Sequence, residues 1–135
     1  ALFASAGAVL GRLVPLDLPA ALRGLGLLLV AAGLALMLWA ALTMWRARTT
    51  VMPGRRPEAL VTAGPFRFSR NPIYLADVIL LAGLMLALAA PAGLVTVPAF
   101  ALLLQRRFIL REEAVIAAAF GSAYDRYRMQ VRRWI

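Results

Sequence analysis

Long apolar runs separated by short arginine-rich stretches form the dominant pattern of the chain. Residues 24–45 carry no charge. A helix of that length extends roughly 33 Å, enough to cross the hydrocarbon core of a bilayer. Residues 73–90 form a second apolar run interrupted only by Asp77, and residues 92–104 a third, with Pro91 and Gly93 marking a turn between them. The third run is short for a span and leads into Gln105, Arg106 and Arg107, so it is expected to continue as an interfacial or cytosolic helix with snorkelling arginines. Residues 1–11 are apolar but too short to span alone and read as the end of a further helix. Residues 12–23, containing Pro15, Asp17 and Pro19, would then be a short external loop. A signal peptide would carry basic residues ahead of its apolar run, whereas Arg12 follows it.

Beyond the third run, Phe120, Tyr124, Tyr127, Val131 and Trp134 recur at steps of four and three, which predicts one face of an amphipathic helix. Asp125, Arg126, Arg128, Arg132 and Arg133 fall largely off that stripe, and Gly121 is the expected break before it. Such a helix lies on the membrane surface or folds back over the adjoining polar residues. The fold class predicted is all-α: a polytopic membrane helical bundle of three to four transmembrane helices with a cytosolic C-terminal amphipathic helix. Length predicts a single domain over residues 1–135.

Composition sharpens this reading. A hydrophobic share of 63% and a mean hydropathy of +0.81 lie outside the range of a soluble globule. The absence of cysteine and histidine removes disulfides, thiolate nucleophiles and nearly every zinc site, so no metal is expected. All fifteen basic residues are Arg, and the net charge is +9. Six of them (Arg46, Arg48, Arg55, Arg56, Arg67, Arg70) lie between the first and second apolar runs, and seven (Arg106, Arg107, Arg111, Arg126, Arg128, Arg132, Arg133) follow the third. The positive-inside rule puts both stretches on the cytoplasmic side, joined by a hairpin of two crossings. That distribution accounts for the charge through topology and anionic headgroups, so nucleic acid is not an expected partner and membrane lipids are. Exclusive use of Arg over Lys hints at a GC-rich bacterial genome and thus an inner-membrane protein.

Two polar clusters interrupt the apolar background: residues 64–74, reading GPFRFSRNPIY, and Arg111-Glu112-Glu113. Asn71-Pro72 is a preferred helix start, with Asn as N-cap and Pro in the first turn. The same helix N-terminus presents free backbone N–H groups to an anion such as a carboxylate. Tyr74 and Asp77 follow Asn71 at steps of three and share its face; Asp77 needs a partner, for which Arg70 or an arginine of the last segment is available. Adjacent carboxylates at Glu112 and Glu113 bring negative charge into a region that otherwise collects positive charge. They suit an ammonium or sulfonium ligand, and Phe66, Phe68 and Tyr74 can add cation–π attraction. Gly26, Val30 and Gly33 read as a close-packing surface on the first long helix.

The ordered set Leu60-Val61-Thr62, Gly64-Pro65-Phe66-Arg67, Arg70-Asn71-Pro72-Ile73-Tyr74, an apolar hairpin, Arg111-Glu112-Glu113 and Phe120-Gly121-Ser122-Ala123-Tyr124 resembles the integral-membrane methyltransferases. These are typified by isoprenylcysteine carboxyl methyltransferase and include the related phospholipid N-methyltransferases. The resemblance runs from about Thr49 onward. It implies N-terminal membrane helices over residues 1–45 and a cofactor-binding core over residues 46–135. The implied cofactor is S-adenosylmethionine, with S-adenosylhomocysteine as product, in a pocket facing the cytoplasm and opening to a lipid-like substrate. By matching position, Glu58, Ala59, Leu60, Val61 and Phe66 would line the cofactor, Arg70 would join Asn71, Pro72, Ile73 and Tyr74 in holding it, and Glu112 and Glu113 would close the pocket. Glu112 and Arg107 would also face the substrate as catalytic residues. Asn71 stands where eukaryotic members have histidine, and Phe66 where they have tyrosine.

The reaction implied is direct displacement of a methyl group onto a carboxylate oxygen or an amine nitrogen, accelerated by positioning and exclusion of water. Two other readings compete: a non-catalytic assembly or transport subunit whose carboxylates form structural ion pairs, and a nicotinamide-dependent membrane reductase, for which the chain is short.

Overall fold

The computed structural model describes residues 1–13, 18–49 and 57–135, and among these the regular structure is helical, without strands. In chain order the helices are α1 (Leu2–Leu13), α2 (Ala20–Arg46), α3 (Pro72–Ala87), α4 (Thr96–Leu104), α5 (Leu110–Phe120) and α6 (Ser122–Gln130). A 3-10 turn, Gly64–Arg67, precedes α3, and a second, Pro91–Val95, precedes α4. A π turn, Gln105–Ile109, joins α4 to α5. Pro15 and Asp17 of the expected external loop, and Arg55 and Arg56 of the basic stretch, lie outside the described residues.

Among the described residues, two helical stretches are long and apolar enough to cross a membrane: Ala20–Arg46, of 27 residues, and Pro91–Phe120, of 30. At 1.5 Å per residue these extend about 40 and 45 Å, consistent with an all-helical membrane protein. α1 and α3 are apolar but shorter, at 12 and 16 residues. The third apolar run continues beyond Leu104 as expected, through the π turn to Phe120, with Arg106, Arg107 and Arg111 exposed.

The second run was expected to stay helical to residue 90, yet α3 ends at Ala87. The chain turns left-handed at Ala89, with φ of 53°, while Ala89 N–H donates to Leu86 O at 3.1 Å and Ala90 N–H to Met85 O at 2.8 Å. This paired bonding is the Schellman helix stop, which satisfies carbonyls that the helix end would otherwise leave without donors. α2 stops the same way: Arg48 has φ of 53°, with Arg48 N–H to Trp45 O at 3.0 Å and Thr49 N–H to Met44 O at 3.2 Å. Neither stop carries the glycine that normally announces it.

The described chain forms two compact units, one from residues 1–35 and 76–102, the other from residues 36–75 and 103–135. In the first, Leu81, Met85 and Ala90 are buried among Phe3, Ala4, Leu84, Leu94, Val97 and Phe100, and the rings of Phe3 and Phe100 lie 5.1 Å apart. Small residues set the helix spacing here. A Cβ on Gly83 would come within 2.8 Å of both Gly26 O and Val30 N, backbone atoms that cannot swing aside. Gly26 and Gly33 thus serve the close packing that their spacing predicts.

In the second unit, Ala40, Phe66, Tyr124, Tyr127 and Val131 form the buried cluster, flanked by Met44, Leu60, Val61, Ile73, Ile116, Ala117 and Phe120. Gly121 breaks the chain between α5 and α6 as expected, with φ of 52°. The amphipathic helix is shorter than the stripe implies: α6 ends at Gln130, and Val131 is already extended at φ −124°, ψ 128°. Carbonyls of the following residues turn away to serve other partners, described below. Trp134 therefore belongs to the non-helical segment after α6 instead of the helical face assigned to it.

Gly83→Val should lower stability by about 1–3 kcal/mol through overpacking, whereas Gly24→Ala, with nothing within 4 Å of the new methyl, should raise it by up to about 1 kcal/mol. Thermal unfolding in detergent followed by far-UV circular dichroism checks both. By the same measurement Ala89→Gly should gain about 1 kcal/mol by relieving its left-handed backbone.

Candidate functional site

The polar segment before α3 is folded by its own residues. Gly64 takes a positive φ of 56°, Pro65 follows in the 3-10 turn, and Phe66 is thereby buried in the aromatic cluster. Tyr127 Oη–H donates to Phe66 O at 2.7 Å, pinning the turn to α6. Ser69 Oγ accepts from Asn71 N–H at 3.1 Å, a tight local turn. Leu75 N–H then donates to Asn71 O at 2.9 Å, so α3 starts with Asn71 at the cap position and Pro72, fully buried, in its first turn.

Tyr74, on the first turn of α3, donates its hydroxyl to Glu112 Oε1 at 2.6 Å. Its ring stacks on Phe108 with centroids 6.2 Å apart and planes 23° from parallel. Phe108 belongs to the π turn, in which Leu110 N–H reaches back five residues to Gln105 O. A π turn adds one residue, which rotates everything downstream by about 100° relative to an uninterrupted α-helix. Glu112 and Glu113 stand on the α5 side of that rotation.

Glu113 is the centre of the ionic contacts. Arg133 grips it with two nitrogens, Nε to Oε1 at 3.0 Å and Nη2 to Oε2 at 2.9 Å. Arg70 Nη1 lies 3.4 Å from Glu113 Oε1 and donates to Tyr124 Oη at 2.9 Å. The Arg70 and Glu113 side chains are only 13% and 14% exposed, so each charge requires the other. Glu113 holds the Arg133 guanidinium above its ordinary range. Burial, reinforced by the Glu113 charge, pushes the Tyr124 phenol up against the opposing pull of Arg70, and burial pushes Tyr127 up further. Both phenols are therefore neutral at physiological pH and serve as hydrogen-bonding groups. Arg70 Nε is buried with no hydrogen-bond partner among the described residues.

The residues after α6 close over the same groups. Arg70 N–H donates to Arg132 O at 3.0 Å, while Asn71 Nδ2 and Ser69 Oγ donate to Arg133 O at 3.1 and 3.4 Å. Trp134 Nε1–H donates to Gln105 Oε1 at 2.9 Å, reaching the π turn.

Of the residues singled out from sequence, Arg70 meets Glu113 directly, Asn71 is linked to Glu113 through Arg133, and Tyr74 meets Glu112. Phe66, Leu60, Val61 and Ile73 belong to the hydrophobic cluster, and Pro72 is buried beside Asn71. Glu58 is exposed; its N–H and that of Ala59 donate to Thr49 Oγ1 at 3.1 and 3.5 Å. Arg107 is exposed on the π turn. Arg70, offered above as a partner for Asp77, gives its guanidinium to Glu113 and Tyr124 instead.

Sequence reasoning passed over Ser69, Gln105, Tyr124, Arg133 and Trp134 as interacting groups. Trp134 was visible only as a stripe member, Tyr124 as a stripe member and the end of the Phe120–Tyr124 motif, and Arg133 as one of many topogenic arginines. Their partners lie 20 to 64 residues away, beyond the reach of local periodicity.

A family model described as phospholipid methyltransferase matches residues 22–123. No curated protein matches the chain.

Tyr127→Phe should cost about 1–2 kcal/mol, because it removes a buried hydrogen bond and leaves the Phe66 carbonyl without that donor. Thermal unfolding of the purified variant against wild type measures the loss.

Proposed function

The chain belongs to the phospholipid methyltransferase family, whose members methylate lipid-like acceptors, and from that premise we propose that it is an S-adenosylmethionine-dependent methyltransferase. Its acceptor would be a carboxylate oxygen or an amine nitrogen carried by a lipid-like or isoprenoid-like molecule. The observation that carries this reading is the pairing of Tyr74 with Glu112 beside the Arg70–Glu113–Arg133 contacts, since it gathers carboxylates, guanidinium groups and aromatic rings into one unit.

The residues present fit such a cofactor. The buried Arg70 Nε–H has no acceptor among the described residues, and a carboxylate, as in the amino acid portion of S-adenosylmethionine, is the acceptor a guanidinium prefers. The stacked Tyr74 and Phe108 rings and the two adjacent glutamates suit a sulfonium cation. When bound, the cofactor supplies an already activated methyl group. Arg70, Asn71, Pro72, Ile73 and Tyr74 would hold it from the start of α3, Glu58, Ala59, Leu60, Val61 and Phe66 would line it, and Glu113 would close the site.

The chain's own residues then have limited chemistry to perform. The Tyr74 hydroxyl orients the Glu112 carboxylate by donating to Oε1. With an amine acceptor, Glu112 takes the proton released as nitrogen gains its methyl group; with a carboxylate acceptor no base is required, and Arg107 orients the anion. Apolar packing around Phe66 and Tyr127 backs the Arg70–Tyr124 side of the site, where exclusion of water would favour the displacement. The arginine-rich flanks support a cytoplasmic site in a bacterial inner membrane, by the positive-inside rule. Residues 1–45 would supply membrane helices and residues 46–135 the cofactor-binding core of one methyltransferase domain.

Calorimetric titration of the detergent-purified chain with S-adenosylhomocysteine tests the reading. Saturable binding by wild type should weaken at least about tenfold in Tyr74→Phe and Glu113→Gln variants that retain wild-type circular dichroism. A wild type that binds nothing, in detergent and again in lipid nanodiscs, would overturn it.

A further inference from the structure

Residues 131–134 make more contacts with the site than their sequence suggests. Val131 is buried in the aromatic cluster and anchors the segment immediately after α6. The Arg132 carbonyl then receives the Arg70 N–H, and the Arg133 carbonyl receives the Asn71 side-chain amide and the Ser69 hydroxyl. The Arg133 side chain turns to Glu113 and holds both carboxylate oxygens, and Trp134 finishes the segment on Gln105. One short non-helical piece therefore touches the start of α3, Glu113 of α5 and the π turn at once.

These contacts form a closed circuit. Gln105 and Phe108 share the π turn; Phe108 stacks on Tyr74; Tyr74 bonds Glu112; Glu113, next in sequence, is gripped by Arg133; and Trp134 returns to Gln105. A bidentate guanidinium fixes a carboxylate in plane as well as in position, which a single nitrogen at 3.4 Å from Arg70 does not. Without Arg133, Glu113 keeps a partner but loses its defined orientation.

We propose that Arg133 is a positioning residue for the methyl-donor site, acting through Glu113, and that residues 131–134 form a clasp joining the Asn71 and Glu113 sides of that site. The inference rests on the donor-site reading above. The clasp orders both sides before a ligand arrives, so its contribution is to donor affinity through pre-organisation. Arg133 itself need not touch the donor.

The test uses the full chain in detergent with S-adenosylhomocysteine as probe. Arg133→Ala should weaken binding by about tenfold, and Arg133→Lys, which restores charge but not the two-point grip, should recover only part of it. Because Arg133 acts through Glu113, the double variant Arg133→Ala with Glu113→Gln should bind no more weakly than Glu113→Gln alone. Hydrogen–deuterium exchange without ligand should show faster exchange of the Arg70 amide in Arg133→Ala. It should show no change in Arg128→Ala, whose partner is the exposed Asp125. If Arg133→Ala does not fold, Arg133→Lys and Trp134→Phe carry the comparison, each expected to weaken binding and speed the same exchange. Wild-type affinity in the Arg133 variants, or losses that simply add in the double variant, would overturn the clasp while leaving the donor site standing. A wild type that never binds the probe overturns both.

Discussion

A carboxylate drawn out of water persists as an anion only while something compensates it, and in this chain Glu113 has that compensation from two arginines, one before α3 and one after α6. The rest of the second unit is arranged around the requirement. Arg70 reaches Glu113 because the 3-10 turn and the Ser69 turn bring the start of α3 to α5; Arg133 reaches it because α6 stops at Gln130 and frees the residues that follow. Tyr124 and Tyr127 bury their rings beneath this layer and spend their hydroxyls on Arg70 and on the Phe66 carbonyl. Polar and apolar layers are thus joined by two phenols that carry one of each.

The first unit is governed by a different constraint, backbone proximity. Gly83 against Gly26, and Gly93 against the Gly7 carbonyl, leave no room for a side chain at the contacts. Such packing relies on van der Waals contact between surfaces that would be equally at home in lipid, which is where small residues gain their advantage in membrane helices.

Much of the architecture was legible in the residue pattern, because charge-free runs and arginine-rich flanks are dictated by the solvent the helices occupy. The long α2, the Asn71-Pro72 start of α3, the continuation past Leu104 and the break at Gly121 all follow from local chemistry. Helix stops at Arg48 and Ala89 were not legible, since the left-handed residue in each is not the expected glycine. Nor was the end of α6, where the periodic stripe continues through Trp134 but the carbonyls of Arg132 and Arg133 have better donors elsewhere. At the site, the two polar clusters were identifiable as such, and the Tyr74–Glu112 and Arg70–Glu113 contacts join one to the other. The third participant, Arg133, was hidden among arginines whose presence topology already explained.

The π turn at Gln105–Ile109 has a consequence for how this helix tolerates change. Residues on its two sides that point the same way are separated by intervals a helical wheel would assign to different faces. A deletion of one residue here, harmless in appearance because it restores a regular spiral, would swing the acid pair about a quarter-turn from its arginines. The chain's surplus residue is therefore what lets a helical stretch of membrane-spanning length also carry a correctly aimed pair of glutamates.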